Sequence, residues 1–157
     1  MIDFDLPEEK AYSARINRKT LMDIKKGIHN YIIVGRRYRN MKYTAAQLAA
    51  DIGVNTRYLS AALRLHYGCN YAELVNKMRI DEAKQMMMTP GCELTMEDLA
   101  LSVGFATRQS FYNAFSKFVG MKPTEWREQQ LEQKRQEEEQ ERQARRAASS
   151  FTGLMFD

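Results

Sequence analysis

Thr44, Leu48, Ala49, Ile52 and Gly53 recur as Thr95, Leu99, Ala100, Val103 and Gly104, each 51 residues further on. Past the glycine the offset becomes 52, so that Leu59, Leu63 and Gly68 match Phe111, Phe115 and Gly120. One extra residue in the second turn accounts for the change. A fixed offset of this kind marks a tandem duplication, and two copies are too few for a solenoid, which needs about three. Whatever the chain folds into must therefore contain the same small unit twice.

The unit is legible at helical period. The second copy, TMEDLALSVGFATRQSFYNAFSKFVGMKPTEWR from Thr95 to Arg127, reads as a short helix, a tight turn at Gly104 and a second helix. Leu99, Ala100, Val103, Phe105, Phe111 and Phe115 supply its apolar seam, and Arg108, Gln109, Ser110, Asn113 and Lys117 stay outside. In the first copy, Thr44 with Gln47 three residues on is a capping-box signature, so a helix starts near Ala45. Gly53 ends it, because a left-handed bend costs least without a side chain. Thr56 is positioned to cap a second helix running to about His66, with Leu59 and Leu63 inward and Arg57, Ser60, Ala61 and Arg64 outward. Thr44 to Gly68 and Thr95 to Gly120 are the two helix-turn-helix motifs.

Between them, Tyr71 to Met88 reads as one long helix with apolar residues on more than one face, as expected of a linker packed against both units. Its Met86-Met87-Met88 run reads as core filler. Thr89-Pro90-Gly91 stops it. Upstream, Leu21, Ile24, Ile28, Tyr31, Ile32 and Gly35 recur at steps of three and four, predicting an amphipathic helix from about Lys19 to Tyr38. Arg36, Arg37, Arg39 and Lys42 follow. They read equally as a solvated basic loop at a helix C-terminus or as a phosphate-contacting edge. Residues 1–18 form an N-terminal extension with no firm element, although Pro7 ahead of Glu8 and Glu9 suits a helix start. Pro123 suits the first turn of a last helix, with Trp126 folding back on the second unit. Residues 130–157 form a charged tail, helical or disordered. Glu138–Arg142 and Glu141–Arg145 are candidate i,i+4 pairs there, but no a/d apolar seam predicts a coiled coil. The closing SSFTGLMFD reads as disordered, or alternatively as a short docking peptide.

Composition excludes several classes. The 157 residues make one domain with tails, and 44% apolar content permits a sizeable core. No apolar run approaches the ~18 residues of a membrane span, and the acidic start lacks the apolar core of a secretory signal. Cys69, Cys92, His29 and His66 show no paired metal-ligand spacing, so neither metal nor cofactor is expected and a reducing cytoplasm fits. No phosphate-binding glycine loop or Cys–His arrangement suggests an enzyme. Residues 19–127 hold sixteen Lys and Arg against nine Asp and Glu, while both flanking segments are net acidic. Positive charge thus lies on the patterned part of the chain, which points to a polyanionic partner.

A helix-turn-helix lays its second helix in the DNA major groove while the first crosses the backbone. Arg bridges guanine O6 and N7, and Gln or Asn bridges adenine N6 and N7. The candidate base contacts are therefore Arg57, Ser60, Ala61, Arg64, Arg108, Gln109 and Asn113, Ala61 only through its methyl against a thymine methyl. The candidate phosphate contacts are Thr44, Thr56, Thr95, Ser110, Lys117, Arg39 and Lys42. The second motif is the better equipped reader. A protein-interaction adaptor built on the same fold is the alternative, and salt dependence separates the two.

LAADIGVNTRYLSAALRLHYG, Met78-Arg79-Ile80 with Ala83, and LALSVGFATRQSFYNAFSKFVGMKPTEWR together resemble the AraC/XylS family of bacterial transcription regulators. The likeness covers about Lys19 to Gln129. It implies an all-α, seven-helix domain over residues 19–129, with two helix-turn-helix motifs joined by a long linker helix. It also implies an asymmetric double-stranded DNA site, activation through contact with RNA polymerase, and a place on the bacterial nucleoid. Leu63 stands where Phe is usual, Ala61 where a longer polar residue is common, and Lys122 where Thr usually precedes the proline. Many members carry a sensing domain ahead of this module, and 18 residues are too few for one. The chain then resembles either the short stand-alone regulators or the output module of a longer protein.

Overall fold

The computed structural model describes residues 16–156. Seven α-helices and no strand occur among them: α1 (Arg18–Ile28), α2 (Ala45–Ile52), α3 (Thr56–Tyr67), α4 (Tyr71–Met88), α5 (Met96–Val103), α6 (Arg108–Val119) and α7 (Pro123–Phe156). The two motifs are α2–α3 and α5–α6, and α4 spans the distance between them with the bounds the apolar pattern implied.

α1 is shorter than expected. The regular helix stops at Ile28 and continues as a π-helical stretch, His29–Val34, closed by the Gly35 amide donating to the Asn30 carbonyl at 2.9 Å. Residues spaced by four drift around an α-helix in one sense, and the wider π turn reverses that drift. Ile24, Ile28 and Ile32 consequently stay in one row, all fully buried. A left-handed Arg36 (φ 49°) then leads into a 3₁₀ turn, Arg37–Arg39.

The core divides into two clusters that α4 joins. Leu74 and Val75 pack with Ile24, Ile28, Ile32, Leu48, Leu59 and Leu63 around the first motif. Ile80, Ala83 and Met87 pack with Leu99, Val103, Phe105, Phe111 and Phe115 around the second. One helix of 18 residues thus feeds both cores from its two halves, which is why its apolar positions occupied more than one face. Met86 packs against the second cluster too, so the methionine run is core.

The basic segment after α1 is a latch between the two halves. Glu82 of α4 is buried, 8% exposed. It accepts hydrogen bonds from Arg39 at both carboxylate oxygens, Nε at 2.9 Å, and from Arg36 Nη1 at 3.4 Å. Burial pushes the Glu82 carboxyl up, but bonds from Arg39 and Tyr38 and the charges of Arg39 and Arg36 outweigh it and hold it below the usual carboxylate range. Arg79 of the same helix donates from Nε to the Tyr38 carbonyl at 2.6 Å and lies over the Phe105 ring at 5.5 Å. Gly104, the second motif's turn, sits so close that a Cβ there would lie 2.6 Å from the Tyr38 carbonyl oxygen. Arg37 turns the other way, paired with Asp51 at 2.9 Å between the rings of Tyr31 and Tyr43.

α7 begins with Pro123 buried and Trp126 edge-on to Phe115 at 5.9 Å, beneath the Lys84 ammonium. Arg127 donates to the Cys92 carbonyl at 3.2 Å. The helix then runs unbroken past residue 130 to Phe156, 34 residues in all, or about 50 Å. The expectation of a disordered SSFTGLMFD is corrected here, because residues 149–156 continue the helix. The ion pairs along it are Glu132–Arg135 and Glu139–Arg142, three residues apart rather than the four expected. Residues 1–15, including the suggested helix start at Pro7, lie outside the described residues.

Candidate nucleic-acid interface

Each motif is built from two capped helices around a left-handed glycine. Thr44 caps α2, accepting from the Gln47 amide at 3.2 Å while the Gln47 side chain accepts from the Thr44 amide at 2.8 Å. Gly53 closes α2 at φ 85°. The cap of α3 is Asn55, whose Oδ1 accepts from the Tyr58 amide at 2.8 Å. Thr56 is the first helical residue, exposed, which corrects the expectation that it caps the helix. The cap must stand in extended conformation, as Asn55 does (φ −80°, ψ 162°), so that its short carbonyl reaches back to the third helical amide.

On α3, Arg57, Ser60 and Arg64 are exposed at steps of three and four, forming one outward row. Ala61 is not in it. It is 4% exposed and buried together with Leu59, Ala62 and Leu63, so the thymine contact expected of its methyl is withdrawn. The buried arc of α3 is wider than a single stripe because α1, α2 and α4 all pack on it. A methyl group fits such close approach.

The second motif is built alike and armed differently. Thr95 caps α5, accepting from the Asp98 amide at 3.1 Å and donating its hydroxyl to Asp98 Oδ2 at 2.7 Å. Glu97 and Asp98 occupy that first turn, whereas the first turn of α2 has no acid. The helix start at Thr95 therefore carries a local negative charge that the start at Thr44 lacks, a less favourable field for a phosphate. Gly104 closes α5 at φ 108°, and Thr107 caps α6. Asn55 and Thr107 are 52 residues apart and the glycines 51, so the inserted residue lies in the turn between Gly104 and Thr107. Ser110 belongs to this cap: its amide donates to Thr107 Oγ1 at 3.1 Å and its hydroxyl to the Thr107 carbonyl at 2.8 Å. Its expected phosphate contact would have to compete with that bond.

The outer face of α6 is ordered in advance. The Arg108 guanidinium lies 4.9 Å from the Tyr112 ring centroid and donates from Nη2 to the phenol oxygen at 3.2 Å. One turn along, Gln109 Nε2 donates to Asn113 Oδ1 at 2.9 Å, which leaves a Gln carbonyl beside an Asn amide group. That donor and acceptor side by side match the N7 and N6 edge of adenine, and Arg108 matches guanine. Lys117 is exposed a further turn along. Beneath this face Phe111 and Phe115 are fully buried. Of the basic segment, Arg39 is paired with Glu82 and Arg37 with Asp51, each guanidinium still half-exposed, while Lys42 is exposed. Sequence reasoning missed the partners responsible, Glu82 and Asp51. Nothing local distinguishes Glu82 from the solvated acids around it.

A helix-turn-helix domain model matches residues 48–129, more than half the chain. The HTH-type transcriptional regulator GadX of Escherichia coli O6:H1 is 26% identical over 92 residues, 59% of this chain and 32% of that protein. The melibiose operon regulatory protein of Escherichia coli K12 is 26% identical over 85 residues, 54% of this chain and 28% of that protein. The chain spans about a third of the length of these curated relatives. Among solved structures, the C-terminal domain of the response regulator yesN from Fusobacterium nucleatum superposes with a TM-score of 0.58 at 25% identity, covering 66% of this chain and 96% of that one. The DNA-binding domain of AdpA, solved in complex with a target DNA, gives 0.58 at 15% identity, over 66% and 88%. The class is a tandem helix-turn-helix module of transcription regulators. The chain belongs to the AraC-type helix-turn-helix family.

Proposed function

We propose that the chain is a sequence-specific double-stranded DNA-binding regulator that reads two successive major grooves, and that it activates transcription through contact with RNA polymerase. The observation that carries this reading is the outer face of α6, where Arg108 and the Gln109–Asn113 pair are pre-positioned over a fully buried aromatic seam. Pre-ordered side chains lose little rotamer freedom on binding, which favours base readout over loose phosphate attraction. α3 adds Arg57, Ser60 and Arg64. Thr44, Lys42 and Lys117 are the phosphate contacts that its geometry leaves best placed, with Thr56 at the start of α3 a further candidate. A domain of the same fold, that of AdpA, has been captured on a target DNA.

Selection of bound duplexes from random DNA tests the reading. The expected result is two blocks of specified bases about one helical turn apart, 10–10.5 base pairs, with affinity falling steeply as salt rises. Enrichment of a single block would overturn two-groove reading. Salt-insensitive binding, or no enrichment, would favour a protein-interaction adaptor instead.

A further inference from the structure

Beyond Leu131 every described residue of α7 is exposed. Over its last turns Ala144, Ala147, Ala148, Phe151, Leu154 and Met155 fall at i, i+3, i+4, i+7, i+10 and i+11, a single apolar stripe. Phe151 is 64% exposed, Leu154 80% and Met155 69%. Read from sequence as a polar segment followed by a separate apolar peptide, the stripe is invisible. It exists only because the helix continues across both.

Its occupant must come from outside the chain's own core. Ala144 lies 21 positions past Pro123, about 30 Å along the axis from where α7 docks. An unbroken helix cannot bring it back. We propose that the stripe is a homodimerisation surface on which a second copy of this chain docks antiparallel.

Three features select that partner. The stripe is small in its first half (Ala144, Ala147, Ala148) and large in its second (Phe151, Leu154, Met155). Antiparallel pairing with Ala148 opposite Phe151 also sets Ala144 opposite Met155, so two alanines of each copy meet large side chains of the other, as close packing requires. Parallel pairing would stack Phe151 on Phe151 and leave the alanines facing a gap. Second, α7 has no basic residue in its last turn, where the final carbonyls carry the negative end of the helix dipole. Arg145, on the flank of the stripe, comes level with the partner's Leu154 in the antiparallel register and supplies the missing cation. Third, four acids (Glu137, Glu138, Glu139, Glu141) outnumber the three arginines beside the stripe (Arg142, Arg145, Arg146), so the segment lacks the basic cluster that an anionic lipid surface recruits. Three large side chains and three alanines per copy bury on the order of 1,000 Å², the lower edge of a specific interface. The dimer is therefore a reversible one, and it holds the two copies of Pro123 about 80 Å apart.

Sedimentation equilibrium of the full chain between about 1 and 200 µM tests this, the range in which an interface of that size associates. The expected result is a concentration-dependent monomer–dimer equilibrium. The Phe151→Glu/Leu154→Glu variant is expected to stay monomeric with helix content unchanged by circular dichroism. In a Cys69→Ser/Cys92→Ser background, Ala144→Cys is expected to form a disulfide with Met155→Cys chains in a mixture and not with itself. A wild-type chain monomeric over the whole range would overturn the proposal, and so would a variant that still dimerises. Self-crosslinking of Ala144→Cys would exclude the antiparallel arrangement. Monomers that partition onto phosphatidylglycerol vesicles would show a lipid surface in place of a second copy.

Discussion

The two helix-turn-helix units keep the same glycines, cap positions and helix lengths, yet they are stabilised and armed in different ways. The first has an aliphatic core edged by hydrogen-bonded tyrosines: Tyr43 donates to Asp51 at 2.6 Å, and Tyr71 to the Tyr43 carbonyl at 2.6 Å. Burial lifts both phenols above their usual pKa, so they remain donors. The second core is aromatic. Phe105, Phe111, Phe115 and Trp126 form a chain of tilted and edge-on contacts 5.5–5.9 Å apart. Its recognition helix carries the pre-paired Arg108–Tyr112 and Gln109–Asn113 contacts, while α3 presents an arginine-rich row of three. Duplication thus conserved the frame, and the chemistry on each copy diverged.

The largest expected difference lies in the cores. Phe111→Ala removes the hub of the aromatic chain and should cost about 3–5 kcal/mol, against about 2–4 kcal/mol for Leu59→Ala at the matching position. Urea denaturation followed by circular dichroism checks both. Equal losses would mean that the aromatic contacts add nothing to area burial. The turn glycines separate the units more cleanly. Gly53 and Gly104 both have positive φ, so alanine at either costs about 1–2 kcal/mol in backbone strain. A Cβ at Gly53 meets nothing within 4 Å, whereas at Gly104 it meets the backbone of Tyr38 and Arg39 at 2.6–2.9 Å. Gly104→Ala should therefore cost about 3 kcal/mol, twice its counterpart, because the latch must move. A matched pair of losses would show that the latch yields freely.

These contrasts mark the limit of what the sequence could show. Most helices, the Thr44 cap and the inserted turn residue were legible because each is a local signal: a period of 3.6, a Thr–Gln spacing, a glycine; the α3 cap fell one residue earlier than expected, at Asn55. The two-sided pattern of Tyr71–Met88 even showed that it serves two cores. The latch was not legible, since its members Arg36, Arg39, Arg79 and Glu82 meet across more than 40 residues and each looks like ordinary surface charge. The burial of Ala61 widens the inward arc of α3, on which three other helices pack, beyond the stripe that its own period marks. Of the site, the outward residues of α6 were readable by spacing alone, but the pairing of Gln109 with Asn113 needed the rotamers.

Glu82→Gln tests whether the latch couples the units. Loss of the charged acceptor should cost about 2 kcal/mol near neutral pH, tempered by the half-exposed guanidiniums that can turn to water. The Glu82 carboxyl in the folded chain lies below its ordinary value of 4.5. Its stabilisation is thus complete above that value and is lost as pH falls through the folded-state pKa. Thermal melts should show the gap between wild type and variant closing on acidification. A gap that widens below pH 4 would reverse the assignment.

At the DNA surface, Arg108→Ala should cost about 1–3 kcal/mol and relax one base position. Arg57→Ala, at the α3 position that matches Gln109, should cost less and relax less, because the residue four positions on is Ala61, which offers no phenol like the one that orders Arg108. Competition binding with a panel of single-base variants measures both. Larger relaxation at Arg57 would make the first motif the principal reader.

The smallest effects should come from the exposed lysines, and they bear most directly on whether both units touch DNA. Lys117 extends from the last turn of α6, and Lys42 lies just ahead of the start of α2. If each neutralises one phosphate, each alanine variant should weaken every sequence alike, by less than about 1 kcal/mol, and lower the slope of log affinity against log salt by about 1. Binding titrations at three salt concentrations resolve that change even when the loss at one salt is small. A lower slope for Lys117→Ala with none for Lys42→Ala would place the second unit on the backbone and hold the start of α2 away from it. A sequence-dependent loss at Lys117 would move that residue from the phosphates to the bases.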